Sequence, residues 1–258
     1  MKSRSAFRIG DILAVLACVL ILLMNLGAFG NATRERAKRA VCLANLGRLT
    51  MAWQAFADDH NGNIVNGAAG INRPGEPPWV PTDWHLDFYS GKQLPLNIQQ
   101  KTIRSGALWP YSGSVNLYHC PAGIRQAVRT YAIVDSMNGF PQPNDTRGRG
   151  PVAKLIVKNI RNLTNRAARI VFIDEGWNAP DSYAVHYDWG CWWDDPPVIH
   201  NAGVTLSFAD SHAEYWKWQG RKTILKPGDD PTTSGEWRDL LRVQIGVWGG
   251  LGYNPPVW

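Results

Sequence analysis

The chain has 258 residues and a net charge of +6, and 45% of its residues are hydrophobic. This composition is ordinary for a folded protein, and the length suffices for one long segment plus a domain that buries its own core. Much of the positive charge flanks one apolar segment near the start, so the charge is weak support for nucleic acid, and we expect no such partner. The 25 glycines and 17 prolines indicate a loop-rich domain rather than a helical bundle.

An uncharged run of residues, 12–33, follows directly after Asp11. About 20 apolar residues at about 1.5 Å each span a bilayer core, so the run predicts a transmembrane helix. Three interpretations compete: a secretory signal peptide, a simple anchor, and a leader that is cleaved in front of the helix. A signal peptide has a shorter apolar core. A simple anchor assigns no role to Asp11, although an acid at the edge of lipid is costly.

The same helix is predicted to continue beyond the apolar run. Residues 31–59 contain no proline. Apolar side chains recur there at the spacing of one helix face, at Cys42, Leu46, Leu49, Trp53 and Phe56. The sequence therefore predicts one helix over residues 7–59, near 75 Å long, whose second half packs on a globular domain.

Oxygen-bearing side chains surround Gly62, just after this helix. They are Asp58, Asp59, Asn61 and Asn63. Hard oxygen ligands suit Ca²⁺, but the glutamate of a calcium loop is replaced by Gly70. An ordinary helix end followed by a turn explains the pattern as well and is favoured. No cofactor is predicted, and structural calcium remains the alternative.

The remaining segment, residues 60–258, predicts a β-rich domain. Residues 129–134 and 168–173 are candidate strands, and residues 204–208 and 213–218 alternate as a hairpin. Together with the helix they predict an α+β fold: a long N-terminal helix packed on a small antiparallel sheet with long loops.

Two of the four cysteines, Cys42 and Cys120, are a candidate disulfide pair. In an oxidising compartment such a bond stabilises by about 4 kcal/mol on the chain-entropy model. Two small buried residues are the equally weighted alternative. The cysteine spacings contain no C-x-x-C pair and so match no zinc motif.

Polar and aromatic side chains concentrate before and within the C-terminal hairpin. The polar ones match no metalloenzyme spacing, so structural roles are favoured and no enzyme is predicted. They are His186, Asp188, Asp194, Asp195, His200, Asp210 and His212. The aromatic ones either cover a thin core or contact glycan, and the candidates for glycan contact are Trp189, Trp192 and Trp193.

The N-terminus resembles the prepilin-type cleavage and methylation segment. That segment has a short basic leader, a small residue, a phenylalanine, an acid at the fifth mature position and a long apolar helix. Residues 1–6 correspond to the leader, with Ala6, Phe7 and Asp11 at the three marked positions. Ala6 and Asp11 replace the glycine and glutamate of the family pattern.

Three further segments resemble the pseudopilin-like group of bacterial proteins. The first reads Cys-Leu-Ala-Asn-Leu at 42–46, and the second comprises Leu-Trp-Pro-Tyr at 108–111 with Tyr-His-Cys-Pro at 118–121. The third is the family's processing-associated C-terminal region, a histidine, nine residues, then Asp-Gly. Here His200 and Asp210 have that spacing, and Ser211 replaces the glycine.

The resemblance implies a pseudopilin-like structural subunit of a type II secretion or type IV pilus-like assembly. A prepilin peptidase would cleave after Ala6 and methylate Phe7, and Asp11 would pair with the new N-terminus of a neighbour. The implied partners are this peptidase, other pseudopilin subunits and inner membrane lipid. The implied location is the bacterial inner membrane, as a single-pass protein with its C-terminal domain in the periplasm. The alternative is a membrane-anchored periplasmic glycan-binding module that does not assemble.

Overall fold

The computed structural model describes residues 9–81, 94–140, 152–177 and 181–256, without the side chains of residues 22–29 and 152. The chain divides into two compact units, Met1–Ala37 and Lys38–Trp258. The predicted leader, with Ala6 and Phe7, lies outside the described residues.

Helix α1 runs from Ile9 to Asp59, in agreement with the predicted long helix. It ends where Asn61 and Gly62 adopt positive φ angles of 56° and 86°. This turn lets the backbone N–H of Gly62 donate to the carbonyl oxygen of Ala57 at 2.7 Å, which satisfies one of the carbonyls that every helix leaves open at its end.

The predicted membrane span is contradicted. Among the described residues, no helix is long and apolar enough to cross a membrane. The transmembrane assignment of residues 12–33 and the single-pass location in the bacterial inner membrane are therefore corrected.

The predicted α+β class with a small antiparallel sheet is confirmed. In the part of the chain that the structure describes, the sheet has four strands in the order β1-β2-β3-β4, and each neighbouring pair is antiparallel. The strands are β1 (Tyr131–Ile133), β2 (Ile170–Asp174), β3 (Gly203–Phe208) and β4 (Ala213–Lys217). The predicted hairpin is the pair β3–β4, in which Leu206 faces Glu214.

Strand β3 is buried on both of its faces. Its polar face packs on α1, where the hydroxyls of Thr50 and Ser207 lie 2.7 Å apart and Gln54 donates to the carbonyl oxygen of Ala209 at 2.7 Å. The apolar stripe of α1 is buried along its length, at Cys42, Leu46, Leu49, Trp53 and Phe56. The period-3.6 stripe thus predicted the helix face that meets the domain core.

The described residues of the domain contain four shorter helices: α2 (Leu96–Arg104), α3 (Trp109–Ser112), α4 (Arg221–Leu225) and α5 (Ser234–Trp248). Single 3₁₀ turns lie at Val115–Tyr118, Val152–Leu155, Ile160–Asn162 and Arg166–Ala168. Helix α5 begins with a capping box made by Thr233 and Glu236. Its Gly246 lies against Ile170 and Trp216, so α5 covers the sheet face opposite α1.

The β3–β4 turn places Ser211 at φ 77°, a left-handed conformation that costs a non-glycine residue about 1 kcal/mol. We expect Ser211→Gly to raise the free energy of unfolding by up to about 1 kcal/mol, because glycine adopts this φ without strain. Urea unfolding of the two chains measures the difference. Ser211→Ala keeps the strain and is the matched control; equal stability of the glycine and alanine variants would contradict the prediction.

Candidate metal centre

Four side chains that can each offer one metal ligand meet inside the domain. Their ligand atoms all lie within 4.8 Å of one another, and all four residues are buried. We call them the four-residue cluster: Cys42, Cys120, Asp174 and His200.

Each member comes from a different segment of the chain. Cys42 opens the buried stripe of α1, and Asp174 is the last residue of β2. Cys120 follows the 3₁₀ turn Val115–Tyr118, and its backbone N–H donates to the hydroxyl of Thr130 at 2.7 Å. The cluster thus joins the helix, the sheet and a loop.

His200 reaches the cluster through an unusual turn before β3. Three successive residues, His200, Asn201 and Ala202, have φ angles of 53°, 64° and 63°. The turn is closed by two backbone hydrogen bonds between Ile199 and Gly203, at 2.8 and 2.9 Å. Left-handed backbone is strained in non-glycine residues and persists only where the surrounding structure imposes it. Tertiary contacts therefore hold the strained turn that positions the imidazole of His200.

The distances within the cluster are short. The sulfur of Cys42 lies 3.0 Å from Oδ2 of Asp174, and the sulfur of Cys120 lies 3.1 Å from Nε2 of His200. The same Nε2 lies 3.5 Å from Oδ2 of Asp174.

A second layer of donors surrounds these ligand atoms. Tyr131 places its hydroxyl 3.0 Å from the sulfur of Cys42, and Thr205 donates to that sulfur at 3.3 Å. Oδ2 of Asp174 also accepts from Thr205 at 3.2 Å, and its Oδ1 accepts from the backbone N–H of Gly176 at 3.0 Å. Such outer contacts hold ligands in orientation.

The surroundings shift the pKa values of three residues of the four-residue cluster: Cys42, Cys120 and His200. Burial raises the pKa of the Cys42 thiol, and the hydrogen bond with Cys120 and the charge of Asp174 raise it further. The hydrogen bond with Cys42 lowers the pKa of Cys120, against the effect of burial. Burial opposes protonation of His200, but hydrogen bonds to Asp174 and Cys120 outweigh it and raise the pKa of the imidazole to about 9. These shifts favour the protonated forms of Cys42 and His200 and the thiolate of Cys120.

The arrangement does not form a Cys-His-Asp catalytic triad. In a triad the nucleophile and the carboxylate bind opposite nitrogens of the imidazole. Here Cys120 and Asp174 both face Nε2 of His200, whereas its Nδ1 is buried and has no hydrogen-bond partner among the described residues. All four members of the cluster are buried.

The predicted polar cluster near the C-terminus is dispersed in the structure. Of its members, His200 alone belongs to the one group of three or more His, Cys, Asp or Glu ligands found in the described residues. His212 instead contacts Asp210 at 2.6 Å in the β3–β4 turn, and Asp194 accepts the backbone N–H of Ala184 at 2.7 Å. Burial raises the pKa of Asp194 to about 7.

The spacing of the C-terminal motif corresponds to the length of β3. His200 lies before the strand and Asp210 in the turn after it, where its carboxylate accepts the backbone N–H of His212 at 3.2 Å. Both ends meet α1, His200 through the four-residue cluster and Ser211 through Gly47, where an added Cβ would lie 3.2 Å from the carbonyl oxygen of Ser211. The motif therefore docks β3 on the helix.

The candidate calcium loop contains competing hydrogen bonds. The side-chain amide of Asn159 donates to the carbonyl oxygen of Asn61 at 3.2 Å and to Oδ1 of Asn63 at 3.0 Å. Asp59 accepts from the hydroxyl of Tyr111 at 2.9 Å, and Asp58 is exposed. In this geometry the segment is a turn that follows α1.

One of the three candidate glycan-contact tryptophans, Trp192, is buried. Trp192 is 7% exposed and packs edge-on against Trp218, with ring centroids 6.2 Å apart. Trp189 is half-buried beside His186, at 5.3 Å between centroids, and Trp193 is 41% exposed. Trp192 thus has the other role considered for these residues, which is to cover a thin core.

Sequence spacing missed the four-residue cluster because its members are far apart along the chain. Cys42 and Cys120, the candidate disulfide pair, are both free thiols in the structure. The sequence did contain one indication that these residues belong together. Cys42, Cys120 and His200 each lie in one of the segments that resemble the pseudopilin-like group. Asp174 had no signal beyond its place at the end of a predicted strand.

Comparison of the chain with models of protein families, with curated proteins and with solved structures gives no match. The resemblance to pseudopilins therefore rests on the motifs themselves.

Proposed function

We propose that the chain is a pilin-like structural subunit that assembles with copies of itself through the first part of α1. One observation carries the proposal: α1 exposes a series of large apolar side chains, each 44–79% exposed. They are Ile9, Ile12, Leu13, Val15, Leu16, Val19, Leu20 and Ile21. Contiguous apolar surface of this kind marks an interaction site.

The exposed part of α1 has two different faces. At 100° per residue, the large side chains of residues 9, 12, 13, 15, 16, 19 and 20 cover one face of about 160°. The other side carries the small residues Gly10, Ala14, Ala17 and Cys18, together with Asp11 and the single large residue Ile21. Small residues let a neighbouring helix approach closely, so the large face of one copy fits the small face of the next.

A contact between two different faces is heterologous, and such contacts build open helical filaments unless the rotation closes into a ring. Full burial of a Leu, Ile or Val side chain contributes about 1.5–3 kcal/mol, so several of them outweigh the entropy lost on association. This architecture supports the role that the N-terminal resemblance implies, a subunit of a type II secretion or type IV pilus-like assembly processed after Ala6 by a prepilin peptidase. Asp11, on the small face, is the group we propose to pair with a neighbour's N-terminus.

Assembly of the purified full chain, measured by sedimentation velocity and electron microscopy, tests the proposal. We expect the unaltered chain to form large assemblies and the triple variant Leu13→Asn, Leu16→Asn, Leu20→Asn to remain monomeric, because the large face is lost. Ala17→Leu is expected to abolish ordered assembly as well, although it makes the helix more apolar, because it fills the small face. Both variants should unfold like the unaltered chain, since residues 9–21 lie outside the core.

A matched control changes exposed apolar residues elsewhere, with Leu96→Asn, Leu225→Asn and Ile245→Asn. This variant should assemble normally. A monomeric unaltered chain at high concentration, or assembly of the triple variant equal to that of the control, would show the proposal to be wrong. An N-methylated Phe7 at the start of the mature chain, found by mass spectrometry of protein from its native cells, tests the processing step separately.

A further inference from the structure

We propose that the four-residue cluster of Cys42, Cys120, Asp174 and His200 is a structural zinc site. The inference is independent of assembly, because it concerns the interior of the unit Lys38–Trp258 alone. It rests on the distances between the ligand atoms, on the donors around them and on the elements that they join.

The distances match a tetrahedral ion of the size of zinc. Bonds of about 2.3 Å to sulfur and about 2.0–2.2 Å to nitrogen and oxygen place tetrahedral ligands about 3.4–3.8 Å apart. The pair Asp174 Oδ2 and His200 Nε2 is 3.5 Å apart. The pairs Cys42–Asp174 and Cys120–His200, at 3.0 and 3.1 Å, need to widen by about half an ångström, and every pair already lies within 4.8 Å.

The surrounding hydrogen bonds suit metal-bound thiolates. Two thiolates and a carboxylate around Zn²⁺ leave one negative charge, which donors must offset. Hydroxyls of Tyr131 and Thr205 lie next to the sulfur of Cys42, and the backbone N–H of Ala122 donates to the sulfur of Cys120 at 3.3 Å. Each sulfur thus has an outer donor, which is the arrangement that stabilises metal ligands.

The ligand set selects the ion. Two sulfurs, one nitrogen and one oxygen favour zinc over the hard ions Ca²⁺ and Mg²⁺, which take oxygen ligands. Four protein ligands in a buried pocket describe a closed structural site, whereas catalytic zinc keeps one position for water. A disulfide between Cys42 and Cys120 uses the same sulfurs and is the competing chemistry, which the experiment must separate.

The site would fasten α1 to the sheet. Cys42 belongs to the helix, Asp174 to β2 and His200 to the turn that leads into β3. The free energy of metal binding to a site absent from the unfolded chain adds to folding stability. Zinc would therefore hold the helix in its docked position.

The experiment is metal analysis of the full chain, purified without chelator, together with cobalt substitution. We expect one zinc ion per chain and, after replacement by Co²⁺, the intense visible absorption and the sulfur-to-cobalt charge-transfer band of a tetrahedral thiolate site. Removal of the ion with a chelator should lower the thermal midpoint, and added zinc should restore it.

Two variants and a matched control locate the site. His200→Ala and Cys120→Ser should lower zinc to background, whereas Cys191→Ser, which alters a buried cysteine outside the cluster, should retain one ion per chain. If a variant fails to fold, the cobalt spectrum of the unaltered chain still decides, because only thiolate ligands produce the charge-transfer band. Chains that hold no zinc or cobalt, with either free thiols or a Cys42–Cys120 disulfide by mass spectrometry, would overturn the proposal, as would zinc retained by His200→Ala.

Discussion

Replacement of Trp53 by alanine is expected to lower the free energy of unfolding by about 3–5 kcal/mol, the usual cost of removing a large aromatic ring from a core. Trp53 is completely buried in the stripe that packs α1 on the sheet. Gln54 and Cys42 of the same helix also contact the sheet and the loop after it, so a cavity at Trp53 weakens the helix–sheet contact. Chemical denaturation monitored by circular dichroism measures the change.

Two control variants separate the cavity from a general effect on the helix. Met51→Ala changes a side chain that is 58% exposed on the same helix and should stay within about 0.5 kcal/mol of the unaltered chain. Trp53→Phe keeps a six-membered aromatic ring and removes an indole N–H that has no hydrogen-bond partner among the described residues, so the stability lost should be well below that of Trp53→Ala. Equal losses for Met51→Ala and Trp53→Ala would contradict this account of packing.

Replacement of Gly106 by alanine is the second change with a large expected effect, a loss of about 3 kcal/mol. A methyl group at this position would overlap the backbone carbonyl of Trp79. That carbonyl cannot move freely, because the Trp79 ring is buried between Tyr118 and Phe172, with centroid distances of 6.0 and 5.5 Å. Thermal unfolding is a sufficient measurement.

Gly75→Ala provides the comparison for Gly106→Ala. Gly75 has φ 74°, and an added Cβ would meet nothing within 4 Å. Its replacement costs only backbone strain, about 1 kcal/mol. If Gly106→Ala lowers the free energy of unfolding no more than Gly75→Ala does, the close contact between Gly106 and Trp79 does not stabilise this part of the domain.

Local sequence patterns predicted helices and strands correctly where the buried residues repeat with the period of the helix or strand. The stripe from Cys42 to Phe56 repeats at helix spacing and is buried in the structure. The alternation in 204–208 and 213–218 corresponds to β3 and β4, within a residue at each end. Both succeed because a side chain's direction on a helix or strand follows from backbone geometry alone.

The same reasoning failed where a property depends on other parts of the chain. The polar face of β3, with Thr205 and Ser207, is covered by α1, which strand alternation does not reveal. Residues 12–33 had the composition of a membrane span, yet no described helix is long and apolar enough to cross a membrane. Trp192 and Trp193 are adjacent in sequence, but one is buried in the core and the other is exposed.

By itself, the sequence determined the long helix, its core-facing stripe, the hairpin and the α+β class, because each depends on the direction of side chains near one another in the chain. Only the tertiary structure decided that Cys42, Cys120, Asp174 and His200 meet. No spacing rule connects a helix, a loop, a strand end and a strained turn. Their convergence depends on how α1 docks on the sheet, which is set by the packing of the whole core.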